Sequence, residues 1–264
     1  MKILVLVKEV PDMTRVKFDS ERGVVNRAGA PAEINPFDEN ALQAAINLKR
    51  KYDDVEVTVL TMGPPSAEKS LRSAYARGAD RLVLLTDSRF GGSDTFATSK
   101  IISRGIKQCG EFDLIICGEK SVDGDTAQVG AEVAEFLGIP HSYYVEDIVP
   151  GDGMAVVSVE NLAGKKQIRE MSYPCLVSVT KNIARPELAT VKRKLESLDA
   201  EVERLKLEDI DSLEREECGG TGSPTKVKKV VVPKLETRET HIFREDIQGF
   251  TKSLENCLKE KGII

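Results

Sequence analysis

Apolar runs and helical repeats alternate along the first 150 residues. Ile3–Val7 is a continuous apolar run rich in β-branched residues, which predicts a strand buried on both faces, as in a parallel sheet. Residues 8–34 are polar, with Pro11, Gly23, Gly29 and Pro31, and predict a long loop with room for a short hairpin. Asn35-Pro36 then opens a helix: Asn35 suits the N-cap, Pro36 the first helical position, and Asp38 and Glu39 the helix dipole. Ala41, Leu42, Ala45, Ile46 and Leu48 make its apolar face. Further strands are predicted at Val55–Leu60, Leu82–Leu85, Leu114–Cys117 and Ser142–Val149. Between them lie helices over 67–77, ended by Gly78, over 95–107, with Ala97, Ile101, Ile102 and Ile106 inward, and over 125–137. In this last helix Val129, Val133, Phe136 and Leu137 face inward, Asp125 is the expected N-cap with Gln128 as its capping-box partner, and Gly138 and Pro140 end it.

Such alternation predicts an α/β fold, a Rossmann-like parallel sheet with helices on both faces. Ligands in these folds sit at the carboxyl ends of the strands. The loops that follow strands, at 8–12, 61–66, 86–95 and 118–125, therefore form one candidate rim. The unit from Asp113 to Pro140 runs strand, Gly-containing loop, helix N-terminus, a geometry that can hold a phosphate. Taken alone it fits an ordinary strand-to-helix turn equally well. No G-x-G-x-x-G is present.

After residue 150 the period changes. Met154–Val159 and Lys165–Met171 predict a hairpin around Asn161-Leu162-Ala163-Gly164. Cys175–Thr180 predicts a further buried strand, placed at the sheet edge. Residues 181–194 are basic, 195–217 strongly charged, Gly219–Thr225 reads as a flexible joint, and Lys226–Val232 turns from basic to apolar. Ile247, Phe250, Leu254 and Leu258 mark an amphipathic C-terminal helix. The expected division is a nucleotide-binding α/β domain over 1–183 and, over 184–264, a recognition segment with a C-terminal arm that packs on another chain.

Composition narrows the function. The 264 residues are 41% hydrophobic and 31% charged, which predicts a globular domain with a real core. A net charge of −5, no tryptophan and 5% aromatics argue against nucleic-acid binding. No apolar run approaches the roughly 20 residues of a membrane span, and the opening run is too short for a signal-peptide core, so a cytoplasmic protein is expected. Five cysteines without a C-x-x-C pair, and two separated histidines, offer neither a disulfide framework nor a metal site.

The strand-end loops carry a resemblance. Val5-Leu6-Val7-Lys8-Glu9-Val10-Pro11-Asp12, Ile34-Asn35-Pro36-Phe37-Asp38-Glu39, Thr61-Met62-Gly63-Pro64-Pro65, Ala76-Arg77-Gly78-Ala79-Asp80-Arg81 and the stretch Gly118 to Gly130 resemble the β subunit of electron-transfer flavoproteins. The similarity is clearest over 1–140. It implies pairing with an α subunit that carries the electron-transferring FAD. In ordinary members the β subunit holds AMP. Carried across by motif, the nucleotide would touch Leu6, Asn35, Pro36, Phe37, Asp38 and Met62. It would also touch the loop Gly118, Glu119, Lys120, Ser121, Val122, Asp123, Gly124, Asp125, Thr126, Ala127, Gln128 and Val129.

Ordinary members tend to have three successive aspartates where this chain has Asp123-Gly124-Asp125. That wording is similar to the electron-bifurcating group, in which FAD replaces AMP. A glycine at 124 makes room and lets backbone approach the diphosphate. Gly92, Ser93, Asp94, Thr95 and Ala97 resemble the loop that borders NADH in that group. The resemblance thus implies NADH as electron donor, ferredoxin or flavodoxin as one acceptor, and a partner flavin dehydrogenase as the other, of acyl-CoA or 2-hydroxy-acid type. Flavin carries the chemistry; no side chain is expected to act as nucleophile or general base. Ala184–Lys194 corresponds to the family's recognition segment, with Leu188 as anchor beside Lys192 and Arg193. The rival readings are an ordinary AMP-holding β subunit, an ATP-binding enzyme or sensor of related fold, whose Gly-rich loop is missing here, and a pure interaction protein.

Overall fold

The computed structural model describes residues 1–12, 14–15, 17–19, 24–26, 31–160, 163–228, 240, 242–244 and 246–264. β1 (Lys2–Leu6) is followed by β2 (Glu9–Pro11), β3 (Lys17–Asp19), β4 (Val24–Asn26) and β5 (Ala32–Ile34). The long loop is thus two short antiparallel ladders, β2 with β5 and β3 with β4. Next come α1 (Pro36–Lys51), β6 (Glu56–Met62), α2 (Glu68–Arg77), β7 (Arg81–Leu85) and α3 (Thr95–Cys109). Then follow β8 (Leu114–Gly118), α4 (Val129–Leu137), β9 (His141–Pro150), β10 (Met154–Val159), β11 (Gln167–Ser172) and β12 (Cys175–Val179). The remainder holds α5 (Val191–Glu196), β13 (Glu203–Leu205), α6 (Gly219–Gly222) and α7 (Ile247–Glu260).

Nine strands form one sheet in the order β11-β10-β9-β12-β8-β1-β6-β7-β13. From β9 to β13 neighbouring strands run parallel, while β10 pairs antiparallel with both β9 and β11. The expected hairpin is there as β10–β11; Asn161 and Leu162 of its turn lie outside the described residues. Side chains of one strand alternate between two cores. Ile3 and Val5 join Leu42, Ile46 and Leu71 under α1 and α2. Leu4 and Leu6 join Ile101, Ile106 and Val133 under α3 and α4.

One expectation about strand placement is overturned. The strand at Cys175–Val179 is not an edge: it lies between β8 and β9, every residue buried. The charged stretch 195–217 also contributes to the sheet and the core. β13 extends the sheet beside β7, and Leu205, Leu207, Ile210 and Leu213 enter the core. The first compact unit runs from Met1 to Lys229. The second unit, Val230–Ile264, has α7 as its described element, with Ile247, Phe250 and Leu254 exposed and an edge-on contact between Phe243 and Phe250. Among the described residues no helix is long and apolar enough to cross a membrane.

Because β12 is central, Leu176 fills the core rather than a margin. Leu176→Ala is expected to cost about 2–5 kcal/mol in urea unfolding, the range of buried Leu truncations. A loss below ~1 kcal/mol would place the strand where the sequence put it.

Candidate functional site

The parallel register brings the carboxyl ends of the central strands to one level. Leu6 pairs with both Leu60 and Cys117, and Val179 pairs with Gly118. Leu6 thus ends β1 beside the loop that leaves β8, and Met62 ends β6 on the same rim.

The first turn of α1 holds these ends together. Asn35 occupies the N-cap position as expected, but its side chain caps nothing. Fully buried, it reaches across to the loop after β8: its Nδ2 donates to the Lys120 carbonyl at 2.8 Å, and its Oδ1 accepts from the Val122 N–H at 3.1 Å. Asp38 does the same for the strand exits, accepting from the Lys8 N–H at 2.9 Å and the Gly118 N–H at 3.1 Å. Two segments distant in sequence, at Lys8 and at 118–122, are thus fixed to one helical turn. The approach is close enough that a Cβ at Gly118 would lie 2.4 Å from Asp38 Oδ1 and 2.7 Å from the Phe37 carbonyl carbon. Burial raises the Asp38 carboxyl to about 7, against the opposing pull of the N–H groups it accepts from. Burial and the neighbouring Asp38 push the Cys117 thiol up to about 12, so it is no nucleophile.

The loop from Gly118 to Val129 departs from its expected form. α4 begins at Val129, with Gln128 at the N-cap position, so Asp125 is not the cap and no capping box forms. The carboxylate of Asp125 pairs instead with Lys120 Nζ at 2.7 Å, and its N–H bonds the Ser121 carbonyl at 2.8 Å in a tight turn. Asp125 and Ala127 both take left-handed backbone, which no helix start accommodates. Such strain in non-glycine residues clusters at ligand-binding loops. Capping falls to Tyr143, whose hydroxyl accepts from the Ala131 N–H at 2.9 Å. On the other side of the loop Lys8 Nζ meets the Asp123 carboxylate at 2.7 and 2.9 Å.

Among the described residues, the N–H groups of Gly124, Thr126, Ala127 and Gln128 have no acceptor in the chain. They line a loop open to solvent, a donor set suited to phosphate oxygens. A Cβ at Gly124 would meet only Ser121 Oγ, at 3.4 Å. The glycine is therefore not required by the loop's own packing.

The loop Gly92–Ala97 lies on the rim but is already engaged. Asp94 caps α3 through the Ala97 N–H at 3.0 Å and accepts from the N–H and hydroxyl of Thr225 at 2.9 and 2.7 Å. Ser93 Oγ accepts from the Gly219 N–H at 3.1 Å, and Ser223 Oγ from the Asp94 N–H at 2.8 Å. The supposed flexible joint is thus built against this loop. Thr95 and Ser99 donate to the Glu132 carboxylate on α4 at 3.2 and 3.0 Å, which links the loop to the helix that follows Val129.

The segment 184–200 is pinned at both ends. Asn40, Gln43 and Arg50 of α1 bond Ala184 and Glu187, and Arg72 of α2 donates to the carbonyls of Ser197, Leu198 and Ala200. Leu188 stands 91% exposed between them. Lys192 lies 3.9 Å from Glu196. Arg193 faces inward, donating to the Tyr75 carbonyl at 2.9 Å and lying over its ring. Val191, Leu195 and Leu198 extend the exposed apolar row; their helical spacing from Leu188 was the signal that could have found them. Lys8 and Glu132 were also missed as site residues, because their partners lie far away in sequence, and Tyr143 because its hydroxyl caps the preceding helix from β9.

Comparison with known proteins points one way. A family model described as the electron transfer flavoprotein domain matches residues 22–210. Over 264 residues the chain is 40% identical to the caffeyl-CoA reductase-Etf complex subunit CarD of Acetobacterium woodii, covering all of both chains. It is 40% identical over 239 residues to the electron transfer flavoprotein subunit beta of Megasphaera elsdenii, covering 88% of each. It is also 40% identical over 242 residues to protein FixA of Azorhizobium caulinodans, covering 88% of this chain and 85% of that one.

The buried Asp38 makes stability depend on pH. Its folded value of about 7 lies above the ordinary 3.8, so the folded state keeps a proton that the unfolded state releases. Its contribution is most favourable below pH ~4, declines as pH rises to about 7, and is constant above that. Asp38→Asn removes this titration but turns an amide donor toward one N–H, at about 1–3 kcal/mol. The expected result is a melting-temperature gap between wild type and variant that narrows from pH 4.5 to pH 8. A gap that widens with pH would refute the buried, proton-retaining carboxyl.

Proposed function

Because the chain belongs to the electron transfer flavoprotein family, as a β subunit, we propose that it serves an electron-bifurcating complex and holds FAD at the loop Gly118–Val129. The observation that carries this reading is the set of free N–H groups at Gly124, Thr126, Ala127 and Gln128, in a loop anchored by Asn35 and Asp38. The donor set fits a diphosphate. Leu6, Pro36, Phe37 and Met62 flank the ligand at the strand ends. Bound there, FAD would supply the exchange of the electron pair of NADH for single electrons, one to ferredoxin or flavodoxin and one through the α-subunit FAD to a dehydrogenase. The chain's own residues bind and orient. Asn35 and Asp38 set the loop, and the segment around Gly92–Ala97, sealed by residues 218–225, borders the NADH side.

Leu188, with Val191, Leu195 and Leu198, is the surface for the partner dehydrogenase. Lys192 lies at its polar margin, and Arg193 serves as its internal pin. A CoA-thioester oxidoreductase is favoured as partner, since the relative from Acetobacterium is named for a caffeyl-CoA reductase complex. Within the C-terminal part of 184–264, α7 is the described element that would pack on the α subunit, through its apolar face.

The choice of FAD over AMP rests on Gly124, and Gly124→Asp tests it. The backbone there is not left-handed and a Cβ has room, so the fold is retained. A third carboxylate beside Asp123 and Asp125 would crowd and repel the diphosphate. The heterodimer purified with its α subunit is expected to keep its melting temperature within a few degrees and to fall from two FAD to one. Unchanged flavin content would show that Gly124 does not select the ligand.

A further inference from the structure

We propose that Lys8 and Lys120 are counter-ions for the phosphates of the bound nucleotide, kept at the loop by Asp123 and Asp125 until the nucleotide arrives. The inference rests on the nucleotide-binding reading above. Lys8 follows β1 on the rim; its Nζ lies 2.7 and 2.9 Å from the Asp123 carboxylate and 3.4 Å from Ser121 Oγ. Lys120 Nζ lies 2.7 Å from Asp125 Oδ1. The two pairs stand one on each side of Gly124, with the unpaired N–H groups of Gly124, Thr126, Ala127 and Gln128 beside them.

The arrangement answers an electrostatic difficulty. A phosphate entering this loop meets Asp123 and Asp125, with Glu119 close to Lys120, and without the lysines the mouth would repel it. Both ammonium groups sit on flexible stems and remain partly open to water, their side chains 47% and 33% exposed. Each can turn from its aspartate to a phosphate oxygen and leave the backbone in place. Lysine suits this as a mobile point charge. Two such cations match the two phosphates of a dinucleotide better than the one of a mononucleotide, which makes the pair a determinant of ligand choice as well as of affinity.

The test uses the full heterodimer carrying Lys8→Met, Lys8→Arg, Lys120→Met or Asp123→Asn. Nucleotide retained after dialysis at rising KCl is identified and counted by chromatography of the denatured protein, and melting temperature reports integrity. Loss of a charge-assisted contact predicts about tenfold or greater weakening for Lys8→Met and Lys120→Met, with shallower salt dependence. Lys8→Arg should restore most of the binding. Asp123→Asn should not weaken binding, because it frees the ammonium and removes a repelling carboxylate. Unchanged retention in Lys8→Met would overturn the inference. So would equal weakening by Lys8→Met and Asp123→Asn, since the pair would then only staple the loop. Should wild type carry AMP, the FAD reading fails, and the same variants decide the role of Lys8 on AMP retention.

Discussion

The carboxylate of Asp38, buried under the rim and bonded to the N–H groups of Lys8 and Gly118, is the contact on which the site depends. It joins the exits of β1 and β8 to the first turn of α1. Asn35, three residues earlier, fastens the following loop through Lys120 and Val122. Four backbone groups from two distant segments are thereby held by two side chains of one turn. A buried carboxyl is costly unless its acceptors are used, and here its oxygens meet backbone donors that would otherwise lack partners.

That anchoring dictates the rest. Gly118 has to be glycine, because α1 approaches within contact distance of its backbone. The loop beyond it is pulled into a turn at Ser121–Asp125 and takes left-handed backbone at Asp125 and Ala127. Strained in this way, the loop leaves the N–H groups of Gly124, Thr126, Ala127 and Gln128 without acceptors in the chain, available to an anion placed there. The lysine–aspartate pairs keep this mouth near neutrality. The same helix that sets the loop also grips Ala184 and Glu187, at the start of the proposed docking segment, through Asn40, Gln43 and Arg50. One element thus positions both surfaces assigned to function.

Much of this could be read from the sequence. Continuous apolar runs at Ile3–Val7 and Leu114–Cys117 belong only in a sheet covered on both faces, and the loops after them had to share a rim. Strand order could not be read, because the run Cys175–Val179 looks the same at an edge or in the middle; pairing partners decide, and they are non-local. The buried residues of 200–213 were hidden among charges, since a single edge strand buries few side chains and leaves the rest polar. Asn35 and Asp38 were recognised by type and misread in role. Cap and dipole preferences describe a helix alone, whereas these side chains serve the strand exits across from it. Asp125 failed as a cap for a related reason: Lys120, five residues earlier in the loop, competes for its carboxylate.

The central claim is that this rim holds a dinucleotide. It is tested most directly by purifying the wild-type heterodimer, removing free flavin, and counting the nucleotides released on denaturation. Two FAD and no AMP per heterodimer is the predicted result. One FAD accompanied by one AMP would contradict the account.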